Sequence, residues 1–186
     1  MAVEIKGREQ VYKGWTTLHR LTLSDGKETF TREVEDHGSA VGVLPYDPAR
    51  RVVLLVRMPR GPVLLAGQPD ILEIPAGLLE PGESPETAAR REAAEETGLN
   101  LGALEPVGTF WTSPGISTER ITLFLAAYGP EDRVSIGGGL AQEHENISVV
   151  ELSIRDAVAA MAGGTAVDMR VYTLLQVLRL RRPDLF

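Results

Sequence analysis

The chain has 186 residues, of which 43% are hydrophobic and 24% charged, and its formal net charge is -7. That length suits one domain with a sizeable core, and the acidic balance argues against a nucleic-acid surface, which needs a basic footprint. No apolar run approaches the roughly 18 residues of a membrane span, and the lack of Cys removes disulfides and thiolate metal sites. The N-terminal MAVEIKGREQ has no apolar core of a secretory signal, so a cytoplasmic protein without membrane or nucleic-acid partners is expected.

Residues Gly14 to Leu23 and the segment ETFTREVEDHG alternate on either side of Ser24, Asp25, Gly26 and Lys27. This predicts an N-terminal β-hairpin with an Asp-Gly turn. AVGVLPYD and RVVLLVRM, parted by Asp47, Pro48 and Ala49, read as two buried strands, and DILEIP, PVGTFWTS, RITLFLAAY and ISVVEL as further ones. Between them runs GLLEPGESPETAARREAAEETGL, residues 77 to 99. Ser84 is a good N-cap, Pro85 suits the first helical position and Gly98 the position past the last turn, so a helix is predicted over 85–97. Residues 154–162, stopped by Gly163 and Gly164, and 168–181, stopped before Pro183, also have helical spacing. Strands around one central helix, with helices at the end, give an α+β class.

On the predicted central helix Glu92 and Glu96 are four apart and Glu95 is three from Glu92, so the carboxylates gather along one side while the small Ala89 and Ala93 lie on another. Like charges at these spacings cost a few tenths of a kcal/mol each. Arg91, four before Glu95, offsets part of that, and a divalent cation with hard oxygen ligands would offset more. The alternative is a solvated helix face, because Ala and Glu are strong helix formers. The longer pattern weighs against it. Gly77, Glu83, Arg91-Glu92, Glu95-Glu96 and Gly98 at these spacings would arise by chance in roughly one window in 10⁸ at average residue usage.

This pattern resembles the Nudix box, and the chain is similar to Nudix hydrolases, in particular the branch acting on nucleoside diphosphate sugars. The resemblance extends to LEIPAGLLEPGE leading into the box, SPGISTER at 113–120 with Ile116 where a second Gly is usual, GGGLAQEHENISVVEL at 137–152, LVRMPR, and YKGW followed by TREVEDHG. It implies a Nudix fold, a mixed β-sheet between helices, with an N-terminal β-region over 1–36 used in dimerisation and part of the substrate site, and a Nudix hydrolase domain over 37–186. The reaction implied is Mg²⁺-dependent hydrolysis (Mn²⁺ being possible) of the pyrophosphate linkage. ADP-ribose, giving AMP and ribose 5-phosphate, is the first expectation. GDP-mannose, giving GMP and mannose 1-phosphate, is the alternative, and a non-catalytic nucleotide-sugar sensor the remote one.

Carried onto this sequence, the resemblance implies metal ligands at the Ala76 carbonyl, Glu92, Glu95, Glu96 and Glu145. Glu143 is the expected base, with Glu95 and Glu96 also in the catalytic set and Gly77, Glu83 and Arg91 in support. Trp15, Arg32, Arg60, Ser113, Gly115 and Glu119 are the expected substrate contacts, and a homodimer is the expected assembly. Each has a plainer alternative: Trp15 in a core or dimer interface, Arg32 and Arg60 in surface ion pairs, the glycines at 137–139 as a connector, and Glu143 and Glu145 in an exposed acidic loop. His19, His37 and His144 show no metal-ligand spacing and are assigned no role.

Overall fold

A computed structural model describes residues 2–140, 146–162 and 167–186. The chain divides into two compact units, residues 1–40 with 109–121, and residues 41–108 with 122–186.

The first unit is built on three antiparallel strands in the order β1 (Glu4–Lys13), β2 (Thr17–Ser24) and β3 (Thr29–Asp36). The β2-β3 pair is the hairpin expected from sequence. Asp25 Oδ1 accepts from the backbone N–H groups of Lys27 and Glu28, and Gly26 takes φ 87, a left-handed value that glycine adopts without strain. Strand β1 was not expected, and its EIKGREQVYK explains why: it is charged and almost wholly exposed, so it carries no apolar alternation. Of the side chains in this sheet only His19 is buried, while Ile5 and Tyr12 stand exposed. The segment around Ser117 runs beside β3, with Glu35 N–H donating to the Ile116 carbonyl (2.8 Å) and Thr118 N–H to the Glu35 carbonyl (3.0 Å).

The second unit contains β4 (Ala40–Asp47), β5 (Val52–Met58), a short helix α1 (Gly61–Leu65), β6 (Ile71–Glu73), β7 (Ala76–Leu78) and α2 (Pro85–Thr97). β8 (Glu105–Trp111) and β9 (Arg120–Ala127), whose residues 109–111 and 120–121 belong to the first unit, follow, then β10 (Ser148–Ser153), α3 (Ile154–Ala162) and α4 (Met169–Arg181). The sheet runs β10-β5-β4-β9-β8, with β6 on β5 and β7 on β4. Every residue of β4 is buried, as expected of a strand covered on both faces. Val41 and Val43 pack with Leu54, Phe124 and the alanines Ala88, Ala89 and Ala93 of α2, all of them buried. Those alanines let the helix approach the sheet closely, so Ala93→Leu would overpack the seam by about 1–3 kcal/mol. α4 buries Val171, Leu174, Leu175 and Leu178, a spacing of three, four and seven that lines one helix face.

The arrangement that positions the site is a splay between β4 and β5. They pair only next to their turn, at Tyr46 with Val53 and Asp47 with Val52. Farther along, β5 pairs instead with β6, from Val56 with Glu73 to Met58 with Ile71, and β4 with β7. The three-residue strand β7 carries Ala76 and Gly77 against α2. At three residues, one of them Gly, it is too short to show a period in sequence, as is the five-residue α1.

Candidate active site

Helix α2 begins and ends where its sequence dictates. Ser84 Oγ accepts from Thr87 N–H (3.1 Å) with Pro85 following, and Gly98 at φ 73 closes the helix by donating to the Ala94 carbonyl (3.0 Å). A Cβ at Gly98 would lie 2.1 Å from the Ser135 carbonyl oxygen, so the cap also serves close packing. These two caps fix which side of the helix presents Glu92, Glu95 and Glu96.

Arg91 organises that side. Its Nε and Nη2 donate to the two carboxylate oxygens of Glu83 (3.1 and 3.0 Å), and Nη2 also reaches the Leu78 carbonyl (3.1 Å). Its Nη1 donates to Glu92 Oε1 (2.7 Å) and Glu95 Oε2 (3.1 Å). One guanidinium thus ties together three carboxylates, a set of charge-assisted bonds with one fork facing Glu83. The Arg91 bonds hold the Glu83 carboxyl below its usual range, and the same contacts raise the Arg91 guanidinium. Glu96 is 1% exposed, and its Oε2 accepts from Ala76 N–H (3.1 Å). Gly77 sits against Glu92: a Cβ there would fall 2.0 Å from Oε1. Glu83 Oε2 also accepts from Glu80 N–H.

Among the described residues no three His, Asp or Glu side chains converge as a finished cluster for one ion. The reason is visible in the contacts, since Glu92 and Glu95 face Arg91 and Glu96 faces a backbone N–H. The donors nevertheless fit a hard divalent cation: all are oxygens, they lie on one helix, and the glycine cradle leaves the Glu92 carboxylate room beside the backbone at 76–77. Glu143 and Glu145 lie outside the described residues. Just before them, Gly138 N–H donates to the Glu96 carbonyl (2.8 Å) and Gly139 N–H to the Glu95 carbonyl (3.0 Å). Gly137, Gly138 and Gly139 all have positive φ, and a Cβ on Gly137 would meet the Glu96 carbonyl at 2.4 Å. The glycines therefore dock the chain on the end of α2.

Arg60 is held by Glu73, whose carboxylate accepts from its Nε (2.8 Å) and Nη2 (3.1 Å). Glu73 is 2% exposed and also accepts from Arg170 Nη2 (2.8 Å), while Arg170 grips Asp168, the N-cap of α4. The sequence reading passed over Glu73, Asp168 and Arg170, because nothing local announces a contact between residues 97 apart.

In the first unit Trp15 is 80% exposed and stacks on His37, ring centroids 5.1 Å apart at 24°. His37 Nδ1 meets Glu35 Oε1 (2.5 Å) and its Nε2 meets Glu119 Oε1 (3.1 Å). Glu35 also accepts from the hydroxyls of Thr16 and Ser117. Burial pushes the His37 imidazole down, but the two carboxylates outweigh it and the net direction is up. The Ser113 carbonyl accepts from the N–H groups of Ile116 and Ser117, closing the turn that contains Gly115. Ile116 does not adopt a left-handed φ, so a β-branched residue is accommodated there. Arg32 lies over the Phe30 ring at 4.9 Å and donates to the Thr31 carbonyl.

No helix among the described residues is long and apolar enough to cross a membrane. A family model described as the NUDIX domain matches residues 36–170. The chain is 40% identical over 164 residues to a GDP-mannose pyrophosphatase of Cronobacter sakazakii (strain ATCC BAA-894), covering 87% of this chain and 84% of that one. It is 38% identical over 185 residues to a GDP-mannose pyrophosphatase of Yersinia enterocolitica serotype O:8 / biotype 1B, covering 95% of each. It is 35% identical over 192 residues to an ADP-ribose pyrophosphatase of Escherichia coli (strain K12), covering 98% of this chain and 90% of that one. A match over most of the box-bearing chain, joined to the box geometry on α2, places this protein in the NUDIX domain family.

Proposed function

We propose that the chain hydrolyses the pyrophosphate linkage of a nucleoside diphosphate sugar, releasing a nucleoside monophosphate and a sugar phosphate. The observation that carries this reading is the Glu92 carboxylate seated on Gly77, with Glu95 and Glu96 on the same helix. A pyrophosphate is anionic and bare carboxylates repel it, so these side chains serve the substrate only by holding a divalent cation. Mg²⁺ suits the all-oxygen donors, with Mn²⁺ as its substitute, and such an ion when bound polarises phosphoryl oxygens and lowers the pKa of a water.

The chain's own residues do the rest. Glu92, Glu95, Glu96 and the Ala76 carbonyl hold the ion, and Arg91 fixes the carboxylates that face it. Glu143 takes the proton of the attacking water, and Glu145 adds an oxygen ligand. Arg60, aimed by Glu73, meets the substrate phosphates. Trp15 and Arg32 take part in holding the nucleotide, as do Ser113, Gly115 and Glu119. Residues 1–36 form the dimerisation region of a cytoplasmic homodimer and 37–186 the hydrolase domain; the exposed Ile5, Tyr12 and Trp15 support the dimerisation surface.

ADP-ribose is the first substrate expected and GDP-mannose the second, since relatives bearing both names match over most of the chain. The test is a panel of ADP-ribose, GDP-mannose, ADP-glucose and NADH with Mg²⁺, Mn²⁺ or EDTA, products being separated chromatographically. A nucleoside monophosphate and a sugar phosphate should appear with a cation and not with EDTA. No turnover of any sugar nucleotide with either ion, or full turnover in EDTA, sinks the reading.

A further inference from the structure

The second unit holds a cavity of about 520 Å³ lined by no residue of the box. That volume falls within the roughly 300–1,000 Å³ of small-molecule sites. Four arginines line it: Arg50 and Arg51 from the turn between β4 and β5, Arg155 in the first turn of α3 and Arg179 near the end of α4. Val158, Leu185 and Phe186 add apolar surface. In a chain with 19 basic residues and a net charge of -7, gathering four arginines around one cavity sets them against mutual repulsion. Neighbouring carboxylates relieve it only in part. Glu151 and Asp47 pair with Arg50, and Asp184 pairs with Arg182. Among the described residues, no carboxylate lies within ion-pair distance of Arg51, Arg155 or Arg179, although Asp184 is near enough to Arg51 to feel its charge.

A second, independent observation comes from the backbone. Arg51 has φ 54, and it is one of two residues other than glycine with positive φ among those described. A side chain bearing a Cβ is disfavoured there, and glycine is the usual occupant of such a position in a short β-hairpin loop. An arginine kept in that conformation, with its side chain on the cavity wall, marks a position where the side chain is of use.

We propose that this cavity binds a small phosphomonoester with an apolar or aromatic body. Guanidinium groups donate to phosphate oxygens in bidentate geometry, which ammonium groups do not match, and the basic residues lining the cavity are all arginine. The apolar residues take the body of the ligand, so an anion alone gains only half of what the cavity offers. The site is separate from the proposed hydrolysis and does not depend on it.

Phenyl phosphate is the probe, titrated calorimetrically into the full chain in EDTA, so that no cation holds phosphate at α2. Binding should saturate at one site per chain, with inorganic phosphate and phenol each about tenfold weaker or more. The R155Q/R179Q double variant should lose about tenfold in affinity or more while keeping whatever sugar-nucleotide hydrolysis the wild type shows. R51G should also bind more weakly yet hold or raise Tm, since relief of the left-handed strain offsets the added freedom of the unfolded chain. No saturable binding below about 10 mM, or equal affinity in R155Q/R179Q and wild type, overturns the proposal. A Tm that falls for R51G overturns the strain argument that supports it.

Discussion

Gly77 and the Glu92 carboxylate touch so closely that a Cβ on the glycine would lie 2.0 Å from Oε1 and 2.3 Å from the carboxyl carbon. No left-handed φ demands a glycine at position 77; the space taken by Glu92 does. Arg91 holds the same oxygen at 2.7 Å, so the carboxylate cannot swing away without losing a charge-assisted bond. Gly77→Ala should therefore leave the fold intact and displace Glu92. Cation affinity and kcat/KM should fall by about 10–100-fold, the usual cost of disturbing a ligand's orientation. Calorimetric Mn²⁺ titration beside steady-state kinetics checks this, and unchanged values for both would separate Glu92 from the cation.

Glu96→Gln isolates charge from shape. The side chain is buried and accepts from the Ala76 backbone N–H, a bond that the Gln carbonyl also makes. The variant should melt close to wild type and lose about 10²-fold or more in kcat, because the substitution removes a ligand charge while keeping the shape of the side chain. Wild-type turnover at saturating Mg²⁺ would take Glu96 out of the metal set.

What was legible from sequence was what short-range rules govern. Ser84, Pro85 and Gly98 bounded α2 because capping acts within one turn, and the i, i+4 spacing put Glu92 and Glu96 on one side. The unbroken apolar run of β4 announced a strand buried on both faces. Illegible were the relationships that chain separation hides: Glu73 with Arg170, 97 residues apart, and His37 with Glu119, 82 apart. The splay of β4 and β5 was equally hidden: DILEIP was readable as a strand, where β6 forms, but not its pairing with β5, and β7 is three residues long and carries no period. The glycines at 137–139 were readable as unusual, but their docking on the carbonyls of Glu95 and Glu96 was not.

Glu73 tests the long-range part. Its carboxylate is nearly inaccessible and accepts three bonds from two guanidiniums, so Glu73→Gln leaves Arg60 and Arg170 with a neutral amide between them. Breaking a buried pair costs about 3–5 kcal/mol, and the partial exposure of both arginines brings the expectation down to about 2 kcal/mol. Urea denaturation should show a lower midpoint, and KM should rise more than kcat falls because Arg60 loses its aim. An unchanged midpoint would make the triad ornamental.

His37 supplies the pH dependence of the first unit. Its ring is stacked on Trp15, its two nitrogens face Glu35 and Glu119, and the neighbouring Asp36 carboxylate is taken by Thr118. Burial lowers the His37 pKa, but hydrogen bonds and charge from the two carboxylates overcome it, so the folded value lies above 6.5. Burial likewise raises Glu35, but bonds from Thr16, Ser117 and His37 overcome it, so its folded value lies below 4.5. A raised base contributes stability that is complete below its unfolded pKa and lost as pH rises through the folded one. A lowered acid contributes stability that is complete above its unfolded pKa and lost as pH falls through the folded one. Both contributions are therefore whole between pH 4.5 and 6.5, the two unfolded values. The stability difference between wild type and His37→Gln should peak in that window and shrink on either side, measured by denaturation at a series of pH values. NMR titration of the His37 ring should give a midpoint above 6.5 in wild type and a lower one in Glu119→Gln. A His37 midpoint below 6.5, or a difference that grows toward alkaline pH, would mean that the ring is neutral and that Trp15 rests on an uncharged partner.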